Sequence, residues 1–126
     1  MTVLGARHRV LLADDDSALR RLVSATLGTQ DFELLQAIDG EEALTLAREQ
    51  RPELILLDVN MPRMDGFEVC TLLKADPATA DIKVVMLTAR GGDVDRAKAR
   101  EAGADDYFIK PFSPVQLLNR VYALLS

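Results

Sequence analysis

The chain has 126 residues, the length of one domain with a substantial core, so we predict a single domain over residues 1–126. A hydrophobic share of 48% is ordinary for a globular protein, and no apolar run approaches the roughly 20 residues of a membrane span. The net charge of −5 excludes strong direct binding to nucleic-acid backbones. Residues 1–7 lack the apolar segment of a signal peptide, so we expect a cytoplasmic protein without a membrane partner.

Hydrophobic periodicity predicts five strands that alternate with five helices along the whole chain. Apolar runs bounded by turn residues predict the strands, which cover residues 8–13, 32–37, 54–58, 83–87 and 106–109. Apolar residues at helical spacing predict the helices, which cover about 17–27, 40–50, 65–74 and 93–102, with a last one from 114 onward. Strict alternation with short connections predicts an α/β fold with a parallel sheet and helices on both faces.

The helix boundaries carry recognisable signals in the first half of the chain. Asp16 is a suitable N-cap for the first helix, and Gly28 ends that helix. Asp39, with Glu42 three positions later, resembles a capping box for the second helix. Each of these polar residues therefore has a structural role that needs no ligand.

The third predicted strand is apolar until it ends on Asp58. A carboxylate inside such a run would lose its hydration at a high cost, but at the strand end it can sit at the rim of the sheet. Taken alone, Asp58 is either a turn or cap residue or a group that faces a ligand, and this strand does not decide between them.

The third and fourth helices differ in how much apolar surface they can bury. In the third helix we predict that Val69, Cys70, Leu72 and Leu73 face inward. The fourth helix has only Val94 and small alanines at its apolar positions, so its docking is predicted to be marginal. Cys70 is the only cysteine, which excludes an internal disulfide and a cysteine-based zinc site, and we expect it to pack between helices.

The strands predict both the sheet order and the place of a site. Strands three and four are the most apolar and should be central, with strands two and five at the edges, which gives the order 2-1-3-4-5. Ligands bind outside the carboxyl ends of parallel strands. The polar residues at these ends are Asp14, Asp15, Asp58, Thr88 and Lys110. His8 precedes the first strand, has no predicted polar partner and is interpreted as a surface residue.

Carboxylates that converge repel one another, so they either raise a pKa or bind a cation. Oxygen ligands without histidine or cysteine favour a hard ion, and Mg²⁺ suits a few carboxylates best. Lys110 supplies a positive charge and Thr88 a hydroxyl group, both suited to a phosphoryl group. A carboxylate in this setting can act as the nucleophile that accepts the phosphoryl group.

The chain resembles the receiver domain of bacterial two-component response regulators over essentially its whole length. The likeness rests on the pair Asp14-Asp15, the run from Leu56 to Gly66, the segment Met86-Leu87-Thr88-Ala89 and the segment Lys110-Pro111-Phe112. It implies the flavodoxin-like (βα)5 fold, whose order 2-1-3-4-5 is that of the chemotaxis member of this family.

The resemblance also implies the roles of the site residues. Asp58 would accept a phosphoryl group from a sensor histidine kinase or a phosphotransfer protein, and an effector or output domain would follow downstream. Asp15, Asp58 and the carbonyl of Asn60 would ligate Mg²⁺, while Asp14 would act through metal-bound water and pair with Lys110. The domain would be a signalling module, not an enzyme, whose only reactions are gain and loss of phosphate at Asp58.

A switch follows from the same resemblance. The Thr88 hydroxyl would turn toward the phosphoryl group, and Tyr107 would follow it inward. The alternative is that Tyr107 is simply a core aromatic residue of an edge strand, with its hydroxyl group exposed to solvent. The Lys110–Pro111 bond matches a position where the family has a cis peptide.

The C-terminal segment resembles the branch of response regulators that carry winged-helix DNA-binding domains. That branch dimerises on phosphorylation through its fourth helix, fifth strand and fifth helix. Asp106 and Arg120 match one salt bridge across the two-fold axis, Arg96 matches half of another, and Gln116 replaces its acidic partner. We therefore expect at most a weak homodimer on phosphorylation. The alternative is that these charges only solvate a free surface.

Two other functions compete with a phosphate acceptor. A phosphatase of the haloacid-dehalogenase type also combines an aspartate nucleophile, a threonine or serine, a lysine and Mg²⁺. That family places its nucleophile after the first strand and usually adds a cap domain, whereas the candidate here follows the third strand. An inactive receiver kept for protein contacts is the other alternative, and the complete set of five site residues argues against it.

Overall fold

The structure is a computed structural model that describes residues 8–28, 31–89 and 93–125. The strands are β1 (His8–Ala13), β2 (Phe32–Ala37), β3 (Leu54–Asp58), β4 (Lys83–Thr88) and β5 (Asp106–Ile109). The helices are α1 (Ser17–Leu27), α2 (Gly40–Gln50), α3 (Gly66–Ala75), α4 (Asp93–Ala102) and α5 (Pro114–Leu125). The predicted elements are confirmed, and their bounds differ by one residue or none.

All five strands are parallel, and their order is β2-β1-β3-β4-β5, as predicted. Successive side chains of a strand point to opposite faces, so the sheet feeds two separate cores. Leu11 and Ile55 contribute to the core under α2, α3 and α4, whereas Leu12 and Leu56 contribute to the core under α1 and α5. Every residue of β3 is buried because helices cover it from both faces.

The helix caps follow the sequence signals with one correction. Asp16 and Gly28 cap α1 as predicted. At α2 the Asp39 carboxylate accepts the N–H of Glu42, but the Glu42 carboxylate accepts the N–H of Ile38 instead of closing a capping box. A complete capping box lies at the start of α3, between Asp65 and Glu68, and was not predicted from the sequence.

The predicted inward face of α3 was wrong at one position. Val69, Cys70 and Leu73 are fully buried, but Leu72 is 40% exposed. A helix turns about 100° per residue, so Leu72 lies about 100° from the centre of the face that the other three residues form. Hydrophobicity alone did not separate these positions, because all four side chains are apolar.

Helix α4 has the small buried surface that was predicted. Ala99 and Ala102 are its buried apolar residues within the described part, and the side chain of Val94 lies outside that part. Polar contacts add to this packing: the Cys70 thiol donates to the Ala102 carbonyl at 3.3 Å, and the Lys98 ammonium lies 5.8 Å from the ring centre of Phe67. Among the described residues, no helix has the length and apolar character to cross a membrane.

Candidate phosphoryl-acceptor site

The carboxyl ends of β1, β3, β4 and β5 bring the predicted site residues together. Carboxylate oxygens of Asp14, Asp15 and Asp58 all lie within 4.8 Å of one another. Asp14 is 0% exposed and Asp58 is 4% exposed, whereas Asp15 is exposed. The acidic cluster therefore has a buried floor and one carboxylate at its open side.

Lys110 is the cation of this cluster. Its ammonium donates to Asp14 Oδ2 at 2.7 Å and lies 3.4 Å from Asp58 Oδ1. Burial alone would lower the pKa of Lys110, but the hydrogen bond to Asp14 and the charges of both aspartates raise it above its ordinary value. Lys110 is thus positively charged and held between two acids from different strands.

The carboxyl group of the acceptor candidate Asp58 has a raised pKa. Burial, followed by the negative charge of Asp14, raises the pKa of Asp58 from 3.8 to about 6, although Lys110 and a hydrogen bond oppose the shift. That hydrogen bond comes from the Asn60 N–H, which donates to Asp58 Oδ1 at 3.2 Å. At neutral pH the carboxylate is ionised but poorly neutralised, a state that a bound cation would relieve.

Helix α3 begins very close to the acceptor. A Cβ on Gly66 would lie 2.4 Å from the carbonyl oxygen of Asp58, so no larger residue fits there without a shift of the backbone. The Gly66 N–H donates to the carbonyl of Val59 at 2.9 Å. A close approach of two backbones therefore explains the glycine at position 66.

The residues fit a small divalent cation. The cluster offers carboxylate oxygens from three aspartates and no nitrogen or sulfur ligand, which is the donor set that Mg²⁺ prefers. Cys70 takes no part, because burial raises the pKa of its thiol to about 11 and it lies in the packing between α3 and α4, as predicted.

His8 lies at the opposite end of β1, where its Nδ1 contacts the Glu53 carboxylate at 3.1 Å. The expectation that His8 has no polar partner was therefore wrong.

The two proposed switch residues lie on neighbouring strands, Thr88 on the inner strand β4 and Tyr107 on the edge strand β5. Thr88 is fully buried at the end of β4, and its carbonyl accepts the N–H of Lys110 at 2.6 Å. Tyr107 is half-buried on β5, opposite Met86, and the Arg96 guanidinium lies 5.4 Å from its ring centre. The peptide bond between Lys110 and Pro111 is cis, as the resemblance implied.

The four proposed interface residues lie on α4, β5 and α5. The Nε of Arg120 lies 2.7 Å from Asp106 Oδ2 within the same chain, as an ion pair without hydrogen-bond geometry. Arg96 and Gln116 are exposed. Asp106 and Arg120 are therefore already paired with each other before any partner binds.

One residue that contacts the segment from Asp14 to Asp16 was not predicted from the sequence. Arg20, on α1, donates from its guanidinium to the main-chain carbonyl of Asp14 at 2.8 Å. The sequence contained a signal for this contact, because Arg20 lies one turn into the helix that follows three aspartates. A long side chain at that position can extend toward the residues before the helix.

Comparison with known proteins identifies a family and relatives with similar sequences. A family model described as the response regulator receiver domain matches residues 10–122. The DNA-binding dual master transcriptional regulator RpaA of Synechocystis sp. is 46% identical over 117 residues, which cover 93% of this chain and 48% of that protein. The DNA-binding response regulator MtrA of Mycolicibacterium paratuberculosis is 44% identical over 119 residues, which cover 94% of this chain and 52% of that protein. The chain spans about half the length of these curated relatives.

Solved structures give the same result. The Vibrio cholerae chemotaxis protein CheY4 superimposes with a TM-score of 0.88 at 34% identity, over 94% of this chain and 99% of that one. The response regulator DrrB, a Thermotoga maritima OmpR/PhoB homolog, superimposes with a TM-score of 0.86 at 34% identity, over 94% of this chain and 52% of that one.

Proposed function

Because this chain belongs to the response regulator receiver domain family, we propose that Asp58 accepts a phosphoryl group from a phosphohistidine of a sensor histidine kinase or a phosphotransfer protein. One observation carries the assignment of the acceptor to this residue. Asp58 is the carboxylate at the end of the central strand, and it shares Lys110 with Asp14. The other described carboxylates of the cluster fit supporting roles, because Asp14 is engaged by Lys110 and Asp15 lies at the open side.

The chemistry assigned to each residue follows from its surroundings. An oxygen of Asp58 attacks the phosphorus atom, an O–P bond forms, and the N–P bond of phosphohistidine breaks with its electron pair left on the histidine. Lys110, 3.4 Å from Asp58 Oδ1, stabilises the negative phosphoryl oxygens with its ammonium. Thr88, buried at the next strand end, supplies a hydroxyl donor to the same group.

The metal-binding residues form the second part of the proposal. Asp15, Asp58 and the main-chain carbonyl of Asn60 would hold Mg²⁺, and Asp14 would act on the ion through water. When bound, Mg²⁺ supplies positive charge that offsets the repulsion among the carboxylates and among the phosphoryl oxygens. Asp58 needs such a charge, because burial and Asp14 raise its pKa and Lys110 is closer to Asp14.

The output of the domain is the third part. Phosphorylation repositions Thr88 and Tyr107 and changes the face of α4, β5 and α5, which then engages a second copy or an output domain. The matched relatives are DNA-binding regulators about twice as long as this chain, so a DNA contact belongs to an output domain and not to this acidic chain. The domain works in the cytoplasm and catalyses only its own phosphorylation and dephosphorylation.

Intact mass spectrometry after incubation with Mg²⁺ and acetyl phosphate tests this function. We expect one phosphoryl adduct in the wild-type protein and none in Asp58→Asn, because the amide is not a nucleophile for phosphorus. Asp81→Asn is the matched control, since Asp81 is an exposed aspartate outside the cluster, and it should be phosphorylated normally. Multiple turnover of small phosphate esters would instead indicate a phosphatase, and neither adduct nor turnover would indicate an inactive receiver.

A further inference from the structure

We propose that Arg20 is a positioning residue for the metal site: its guanidinium fixes the peptide group between Asp14 and Asp15 and so directs the Asp15 carboxylate into the cluster. The inference rests on the proposed function, in which Asp15 is a ligand of Mg²⁺. Arg20 itself touches neither the phosphoryl group nor the metal.

The first step is the contact itself. Arg20 is half-buried on the first turns of α1, and its guanidinium donates to the Asp14 carbonyl at 2.8 Å. That carbonyl belongs to the peptide that joins Asp14 to Asp15. Because a peptide group is planar, a hydrogen bond to its oxygen also sets the direction in which the chain enters Asp15.

The second step is that the other groups of Asp14 are already engaged. Its N–H donates to the Ala37 carbonyl at 3.1 Å, Oδ1 accepts the N–H of Asp16 at 2.9 Å, and Oδ2 accepts from Lys110 at 2.7 Å. Asp14 is 0% exposed, so a carbonyl without Arg20 would be a buried acceptor in need of a partner. Arg20 therefore completes the set of contacts that hold this residue.

The third step concerns Asp15, whose side chain is exposed. Within the residues that the structure describes, no hydrogen bond or ion pair holds the Asp15 carboxylate, yet its oxygen lies within 4.8 Å of those of Asp14 and Asp58. Its position is therefore set by the backbone that carries it. The contact that orients this backbone at the Asp14–Asp15 peptide is the one from Arg20.

The fourth step is electrostatic. The guanidinium is a cation and is planar, so it holds the carbonyl in a defined direction. It also brings a cationic nitrogen to 2.8 Å from the Asp14 carbonyl oxygen, on the segment that carries Asp14 and Asp15, whose carboxylates repel each other. Groups that orient metal ligands from outside the coordination sphere commonly change metal affinity when they are removed.

Calorimetric titration of the metal-free protein with Mg²⁺ tests the proposal through Arg20→Met, with Arg21→Met as the matched control. Arg21 is the next residue of α1 and is exposed, so its change removes the same charge from the same helix. We expect the Mg²⁺ dissociation constant to rise about tenfold in Arg20→Met and to stay unchanged in Arg21→Met. In a ¹⁵N–¹H spectrum without metal, the Asp15 amide should shift in the first variant and not in the second.

Equal affinities in wild type and Arg20→Met, or an equal loss in both variants, would overturn the proposal. Should Arg20→Met fail to fold, Arg20→Lys decides: an ammonium keeps the charge but not the planar geometry, so weaker Mg²⁺ binding is expected and wild-type affinity overturns the idea. Phosphorylation of the wild-type protein is measured separately. A wild type that binds Mg²⁺ but forms no adduct refutes the acceptor function and leaves the comparison of affinities intact.

Discussion

The ammonium of Lys110 lies 2.7 Å from Asp14 Oδ2 but 3.4 Å from Asp58 Oδ1, so this cation is closer to the residue that is not the proposed acceptor. Asp14 is the more deeply buried of the two and would be costly to leave unpaired. The pKa of Asp58 stays raised by burial and by the charge of Asp14, although Lys110 lowers it. In the proposed reaction an incoming phosphoryl group would compete with Asp14 for Lys110.

The first prediction concerns the pH dependence of stability in the metal-free protein. Asp58 has a folded pKa of about 6, against 3.8 for the ordinary group, so the folded chain holds more protons than the unfolded chain between these values. Its contribution to the free energy of unfolding is therefore present at low pH and falls as pH rises through this window. Asp58→Asn should stabilise the protein relative to wild type by an amount that grows by about 2 to 3 kcal/mol between about pH 4 and about pH 7.

Urea unfolding with a chelator present, repeated across this pH range, measures the difference. Asp81→Asn serves as the control, because an exposed aspartate outside the cluster should give a curve parallel to wild type. A constant difference between Asp58→Asn and wild type from acid to neutral pH would contradict the raised pKa of Asp58.

The second prediction concerns Asp15, the exposed member of the cluster. Asp15→Asn should weaken Mg²⁺ binding by at least about tenfold, the lower end of what loss of an outer-shell group costs. Because the side chain is exposed and one repelling charge is removed, the free energy of unfolding without metal should change by about 0.5 kcal/mol or less. Titration calorimetry and thermal unfolding measure the two effects, and phosphorylation that a chelator does not inhibit would refute a role for the metal.

Much of the site follows from the sequence because parallel topology forces it. Once strands are assigned and ordered, their carboxyl ends meet at one edge, so Asp14, Asp58, Thr88 and Lys110 converge without any knowledge of side-chain packing. The apolar runs of β3 and β4 indicated that these two strands are central and that β2 and β5 are the edges. The resemblance to a known family implied the same order, so the two routes to it are not independent.

Contacts that depend on side-chain reach were not predictable in this way. The bond from Arg20 to the Asp14 carbonyl, the position of Arg96 over Tyr107 and the pair of Arg120 with Asp106 all involve long, flexible cations. Several rotamers of each side chain are compatible with the same backbone, and the partner is selected by tertiary packing. The exposure of Leu72 has a similar cause, since helix rotation and not hydrophobicity decides it.

The third prediction concerns the lifetime of the phosphorylated state. Asn60 lies two residues beyond Asp58, is exposed, and its N–H contacts the acceptor carboxylate, so its side chain is placed to shield or orient an attacking water. We expect the same role for Arg90, which is two residues beyond Thr88 in the sequence and lies outside the described residues. Asn60 and Arg90 should each be replaced by alanine, and loss of the adduct followed by mass. Unchanged decay in both variants would count against the prediction.

The last prediction concerns assembly, and it begins from contacts within one chain. Arg120 is paired with Asp106, and Arg96 lies over the Tyr107 ring, so a dimer built on α4, β5 and α5 must compete with both. Exposed ion pairs contribute only about 0 to 1 kcal/mol each, so the contacts within one chain and those across a dimer differ little in free energy. Gln116 adds no charge to the face, where the related branch has an acidic residue. We therefore expect a monomer without phosphate and at most a weak dimer after activation.

Gln116→Glu should strengthen the activated dimer, because it restores an acidic partner for Arg96 of a second copy. Sedimentation at micromolar concentration, with and without beryllofluoride as the phosphoryl mimic, measures the effect. Gln36→Glu is the matched control, since Gln36 is exposed on the edge strand β2 and gains the same charge away from α4, β5 and α5. A tight dimer without the mimic would overturn the coupling between phosphorylation and assembly. Equal strengthening by both variants would show that the added charge acts through something other than this face.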